Sequence, residues 1–96
     1  MATTDDVSSN RAIVTVLGSD RSGIVAAVTG VLAGHEVNIL DISQTILQGT
    51  FTMTMLVELG SADFSELKGA LDALSESLGV QITMQREEVF RYMYRL

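Results

Sequence analysis

The sequence contains no cysteine, which removes disulfides, thiol catalysis, iron–sulfur clusters and thiolate metal sites from consideration. Basic residues are scarce, six against twelve acidic ones, and the net charge of -6 repels the phosphate backbone that supplies most nucleic-acid affinity. Direct nucleic-acid binding is not expected. Although 47% of the residues are hydrophobic, no apolar run approaches the roughly 20 residues that cross a bilayer, so no membrane span is expected either. The one histidine, His35, lacks the neighbouring nucleophile and orienting group that a catalytic base needs. It is read as a loop histidine. Met53 and Met55 alternate with threonines and, with no cysteine or histidine cluster beside them, are read as core residues and not as metal ligands. Nothing calls for a cofactor. Residues 1 to 10, MATTDDVSSN, have neither the basic start nor the apolar stretch of a secretory signal; they read as a flexible polar tail, with a cytoplasmic address by default. The remaining residues, 11 to 96, suit one domain with a modest core.

What is present is strongly patterned. AIVTVL, residues 12 to 17, is a β-branched run bounded by a polar tail and a glycine turn, which predicts a strand. Ile24, Val25, Val28, Val31 and Leu32 then form one helical stripe, predicting a helix over 22 to 34. Asp20 or Ser22 suits its start and Gly34 suits the left-handed residue that closes it. In VNILDISQTIL, residues 37 to 47, Leu40, Ile42 and Ile46 share one face and Asp41, Ser43 and Thr45 the other, the pattern of a half-buried strand. A short turn at Gln48, Gly49 and Thr50 leads into the alternation of Phe51, Met53, Met55, Val57 and Leu59, so the pair reads as a β-hairpin. Phe64, Leu67, Leu71, Leu74 and Leu78 step by three and four, predicting a helix that ends at Gly79. Off that stripe, Glu66, Asp72 and Glu76 read as a solvated acidic face. VQITMQ, residues 80 to 85, alternates again as a strand, and EEVFRYMYRL suggests a short terminal helix whose Tyr92 and Tyr94 either cover an apolar edge, the simpler reading, or dock on a second chain.

The order strand, helix, strand, strand, helix, strand is the split βαβ arrangement of ferredoxin-like α+β folds. It predicts a four-stranded antiparallel sheet with two helices on one face, followed by a short helical tail. The other face has no cover within one chain; Ile13, Leu17, Ile39, Leu47 and Leu56 are candidates to share it. An uncovered mixed face and exposed strand edges favour pairing with a second copy. A homodimer is expected.

The turn LGSDRSGI, residues 17 to 24, admits three readings: a phosphate cradle, a pocket for another small molecule, or a tight corner. A helix start favours anions, but Asp20 beside it would repel a doubly charged phosphate while suiting an ammonium group. With Asn38, which can donate and accept, the combination fits a free amino acid better than a nucleotide. From these residues alone a structural corner remains the simpler account, since aspartate caps and turn glycines are common.

The stretch DRSGIVAAVTGVLAGHEVNILDISQTI resembles the signature of ACT domains, in which a strand is followed by D-x-P-G-hydrophobic, a helix, and N-I entering the second strand. Asp20, Gly23, Ile24, Asn38 and Ile39 match that pattern. Ser22 stands where proline is commonest, replacing a preset φ angle by a hydroxyl cap. The likeness covers residues 11 to about 96, and DISQT with the aromatic and methionine tail is similar to small free-standing ACT proteins related to the glycine-cleavage-system repressor. It implies a ligand site near Gly18, Asp20, Ser22, Gly23 and Asn38, lined by Ile24 and Ile39, between the first loop of one chain and the second strand of another.

Three functions follow for test. The first is a non-catalytic homodimeric sensor of an amino acid or related metabolite, signalling to a regulated enzyme or regulator. The second is an assembly module that holds no ligand. The third and most remote is an acylphosphatase-like hydrolase using Arg21 and Asn38.

Overall fold

The computed structural model describes residues 10–19 and 22–94, which form strands and helices in the order β1 (Arg11–Gly18), α1 (Ser22–Gly34), β2 (Asn38–Leu47), β3 (Thr50–Glu58), α2 (Phe64–Leu78), β4 (Gln81–Arg86) and α3 (Glu87–Tyr94). The strands make one antiparallel sheet in the order β2-β3-β1-β4, the ferredoxin-like α+β arrangement, with a short C-terminal helix. The polar tail before Asn10 lies outside the described residues.

Alternation decides which side chains meet the helices. On β1, Ala12, Val14 and Val16 are wholly buried, and their register partners on β3, Val57, Met55 and Met53, are buried with them. Ile82 and Met84 of β4 join the same layer. Onto it α1 lays Ile24, Val28 and Leu32, and α2 lays Leu67 and Leu71. This single layer is the core, so both methionines are packing residues. The out-of-phase residues, such as Ile13, Thr15, Leu56 and Thr54, face the side that the helices leave uncovered.

Four details depart from the sequence reading. β2 is not half-buried: all ten of its residues are exposed, because it is an edge strand that pairs only with β3 and extends beyond the cover of the helices. Leu40 has no register partner, since Ile39 opposes Val57 and Asp41 opposes Leu56. That bulge sets Ile39 on the helix side with buried Val57, not on the open side, and the Ile42 N–H donates to Asp41 Oδ1 at 2.9 Å just after it. Gly34 stays helical, and the left-handed residue after α1 is Glu36, with φ 60°. Tyr92 is 76% exposed, so most of its side chain is not covered within the described residues, while the side chains of Met93 and Tyr94 lie outside them.

At the end of α2, Gly79 takes φ 71°, and the N–H groups of Gly79 and Val80 both donate to the Ser75 carbonyl. The Ser75 hydroxyl donates in turn to the Val80 carbonyl. His35 sits at the end of α1, with Nδ1 3.0 Å from the Val31 carbonyl oxygen, as a loop histidine should.

α3 is anchored by charge. Glu87 is 4% exposed; its Oε1 accepts from Arg11 Nε at 3.0 Å and its Oε2 from Arg11 Nη2 at 2.8 Å and Arg91 Nη2 at 2.9 Å. Hydrogen bonding from Arg11 holds the Glu87 carboxyl below the usual glutamate range; burial opposes this and Arg91 reinforces it. Arg11 opposes Glu58 and is out of phase with the core residues of β1, so the anchor lies on the open side of the sheet.

Candidate functional site

β1 ends at Gly18 because nothing larger fits. A Cβ there would stand 2.8 Å from Val80 Cγ1 and 2.9 Å from Ile24 Cδ1, so the chain turns with its backbone against two side chains. Gly23 is different: it is exposed in the first turn of α1, and a Cβ on it would meet nothing within 4 Å. Its φ is not left-handed, so neither packing nor backbone geometry calls for glycine at this place.

Gly23 and Ile24 line a cavity of about 180 Å³, together with Ser19, Leu78, Gly79 and Val80. At roughly 30 Å³ per water that is room for about six, the scale of a small metabolite. None of the lining residues is charged. Two helix ends meet there instead: the amino terminus of α1, with its partial positive charge, and the carboxyl terminus of α2, with last-turn carbonyls and partial negative charge. The pair of opposite poles is the electrostatic complement of a molecule bearing both carboxylate and ammonium.

The predicted site residues divide between the two ends of the sheet. Gly18, Ser22, Gly23 and Ile24 gather at the cavity end, and Asp20 and Arg21 lie outside the described residues. Asn38 and Ile39 do not converge on that corner within one chain. β2 runs parallel to β1, so it begins where β1 begins: Asn38 shares its row with Glu58 and Arg11, whereas Gly18 shares its row with Phe51 and Ile46. Seven residues of β3 separate those rows, about 23 Å along the strand. The hydrolase reading pairs Asn38 with Arg21, which lies outside the described residues. Leu78, Gly79 and Val80 were not among the sequence candidates. Topology points to them, since β4 is antiparallel to β1 and must start where β1 ends.

Two other hollows lie on the open side. One of about 580 Å³ is bordered by Leu17, Leu47, Gln48, Thr50 and Thr52, and a smaller one of about 140 Å³ includes Asp41 and Ser43. The larger volume is an open depression at the hairpin corner whose lining includes no helix residue, so it offers a charged metabolite no helix pole. Among the described residues, no group of histidine, aspartate and glutamate is placed to hold a metal ion, and no helix is long and apolar enough to cross a membrane.

Comparison with known proteins agrees with this architecture. The model of the ACT domain matches residues 10–85. A UPF0237 protein of Methanosarcina acetivorans is 52% identical over 92 residues, covering 94% of this chain and 100% of that protein. Among solved structures, an ACT domain protein from Streptococcus pneumoniae superposes with a TM-score of 0.75 at 44% identity, over 88% of this chain and 97% of that one. A putative glycine cleavage system transcriptional repressor shares the fold, with a TM-score of 0.71 at 22% identity over 78% of this chain and 45% of that one. With the family pattern spanning both halves of the sheet and a relative matched along its whole length, the chain belongs to the ACT domain family.

Proposed function

We propose that this chain is a non-catalytic regulatory module that binds an amino acid or a closely related metabolite as a homodimer. ACT domains are typically small-molecule regulatory modules, and the observation that carries the finer reading is the meeting of opposite helix poles at an uncharged cavity beside Gly23. An α-carboxylate suits the N–H groups that open α1, and an α-ammonium suits the carbonyls that close α2. Asp20, two residues before the helix in sequence, adds a carboxylate to the same loop. Phosphorylated ligands fit this balance of charge poorly.

The homodimer is supported by β2. A ten-residue edge strand exposed along its whole length, with Ile46 at 60% and Leu47 at 72% exposure, is a template for another strand. Antiparallel pairing with β2 of a second copy reverses its direction, which brings the partner's Asn38 and Ile39 to the end of the sheet where Gly18 and Gly23 lie. The halves of the predicted site that one chain separates would then share an end. Calorimetric titration with the common amino acids, each to millimolar concentration, should find at least one that binds with one site per chain. No heat across the whole set would reject the sensor.

The exposure of β2 equally favours a second reading, a module that assembles with a regulated enzyme or regulator and holds no ligand. Recovery of a partner from extract that is unchanged by every amino acid would favour it.

A further inference from the structure

We propose that the sheet face opposite α1 and α2 is a second self-association surface, on which two β2-paired dimers stack into a tetramer with each α3 seated over the hairpin corner of a chain in the other pair. The proposal rests on the homodimer of the preceding section.

Charge placement is the first argument. By register, Thr83, Thr15, Thr54 and Ser43 form one row across the open face, and Gln81, Leu17, Thr52 and Thr45 form the next. Thr50 and Leu47 form a third row of two residues at the hairpin. These three rows carry no charge, in a chain with a net charge of -6. The charges of the face stand toward its other end, where Arg11, Glu58 and Glu87 meet and Asp41 lies one row in. Two copies can therefore approach through the neutral rows without placing acid on acid, and their short hydroxyl side chains allow sheets to stack at the usual ~10 Å separation.

Shape is the second. The Glu87 anchor holds α3 at the charged end of the face, so only the neutral end is open. α3 leaves Val89 45% and Tyr92 76% exposed, and the opposite end holds the uncharged hollow of about 580 Å³ bordered by Leu17 and Leu47. A two-fold axis lying in the face and crossing the strands exchanges the ends. It sets α3 of one chain against the hollow of another, and the reverse, in an isologous contact.

Area decides the number of chains. Two rows of four residues and a third of two cover roughly 270 Å² per chain, well under the ~800 Å² per partner of a stable interface. Pairing through β2 joins two such faces edge to edge, giving about 540 Å² on each side before α3 is added. Single chains should stack weakly and paired chains firmly.

Sedimentation velocity with light scattering on the full chain tests this. The expected species has the mass of four 10.3-kDa chains, and Leu17→Glu, a change at an exposed position, should weaken tetramer formation at least tenfold and leave dimers. A wild-type dimer, or a tetramer indifferent to Leu17→Glu, overturns the stacking but leaves the homodimer standing; a wild-type monomer overturns both. Because the chain has no cysteine, a second test is clean: Leu47→Cys and Val89→Cys proteins mixed under mild oxidation should cross-link several-fold more than either alone. Equal yields contradict the seating of α3.

Discussion

Gly18 lies so close to Val80 that a methyl group on it would stand 2.8 Å from Val80 Cγ1. The corner between β1 and α1 is thus a packing contact with the exit of α2, and overfilling it forces backbone or side chains to shift. Gly18→Ala should destabilise the fold by about 1–3 kcal/mol, read as a lower urea midpoint. Pairing it with Val80→Ala should recover part of the loss relative to the sum of the two single changes.

Gly23 should behave in the opposite way. Its missing Cβ would meet nothing within 4 Å, and alanine is the better helix former by about 0.5–1 kcal/mol. Gly23→Ala should therefore leave stability unchanged or raise it, while a methyl group at the cavity wall weakens amino-acid binding. Loss of stability in thermal melts, or unchanged affinity by calorimetry, would show that this glycine has another purpose.

The anchor of α3 should be pH dependent at its acid end only. Hydrogen bonding from Arg11 keeps the Glu87 carboxyl below its ordinary value of 4.5, so its stabilisation is complete above that value and is lost as pH falls through the lower, folded one. Glu87→Gln should cost about 1–2 kcal/mol at pH 7, as expected for hydrogen bonds to a charged group. The difference between variant and wild type should shrink below pH 4.5, measured by denaturation across a pH series. A constant difference would mean that Glu87 acts through packing alone.

Two side chains occupy left-handed backbone that glycine adopts freely: Glu36 at φ 60° and Gln48 at φ 52°. Gln48 and Gly49 both have positive φ between the paired Leu47 and Thr50, which is the two-residue hairpin turn that favours Asn-Gly. Glu36→Gly should stabilise by about 1 kcal/mol and Gln48→Asn by about 0.5 kcal/mol, with additive shifts in melting temperature because the two turns are separate.

Ile46 on β2 is 60% exposed, so Ile46→Lys should leave the stability of the single chain within ~0.5 kcal/mol. The same change should weaken self-association at least tenfold, because it sets a charge into the paired edge against Asn38 and Ile39 of the second copy, which offer it no opposite charge. Equilibrium sedimentation separates these effects.

Local pattern makes much of this fold legible in the sequence. The stripe from Ile24 to Leu32 gave the limits of α1, and Gly79 marked the end of α2, because each reports a local preference that the fold leaves in place. The burial of β2 was not legible: alternation of Ile42 and Ile46 with Asp41, Ser43 and Thr45 describes a two-faced strand but not whether a helix reaches far enough to cover it. The extra residue at Leu40 was hidden for a similar reason, since a bulge depends on register with β3. The separation of Asn38 from Gly18 and the approach of Val80 to Gly18 follow from strand directions alone, so the element order already contained them.

The central claim is that the corner at Gly23 is an amino-acid receptor completed by Asn38 of a second copy, and subunit mixing tests it most directly. Gly23→Leu and Asn38→Ala should each abolish binding in calorimetry when pure. Mixed and re-equilibrated, half of the dimers become hybrids with one intact site each, so binding should return at about one quarter of the wild-type stoichiometry. A mixture as silent as its components, or an Asn38→Ala protein that binds like wild type, would contradict a site shared between two chains.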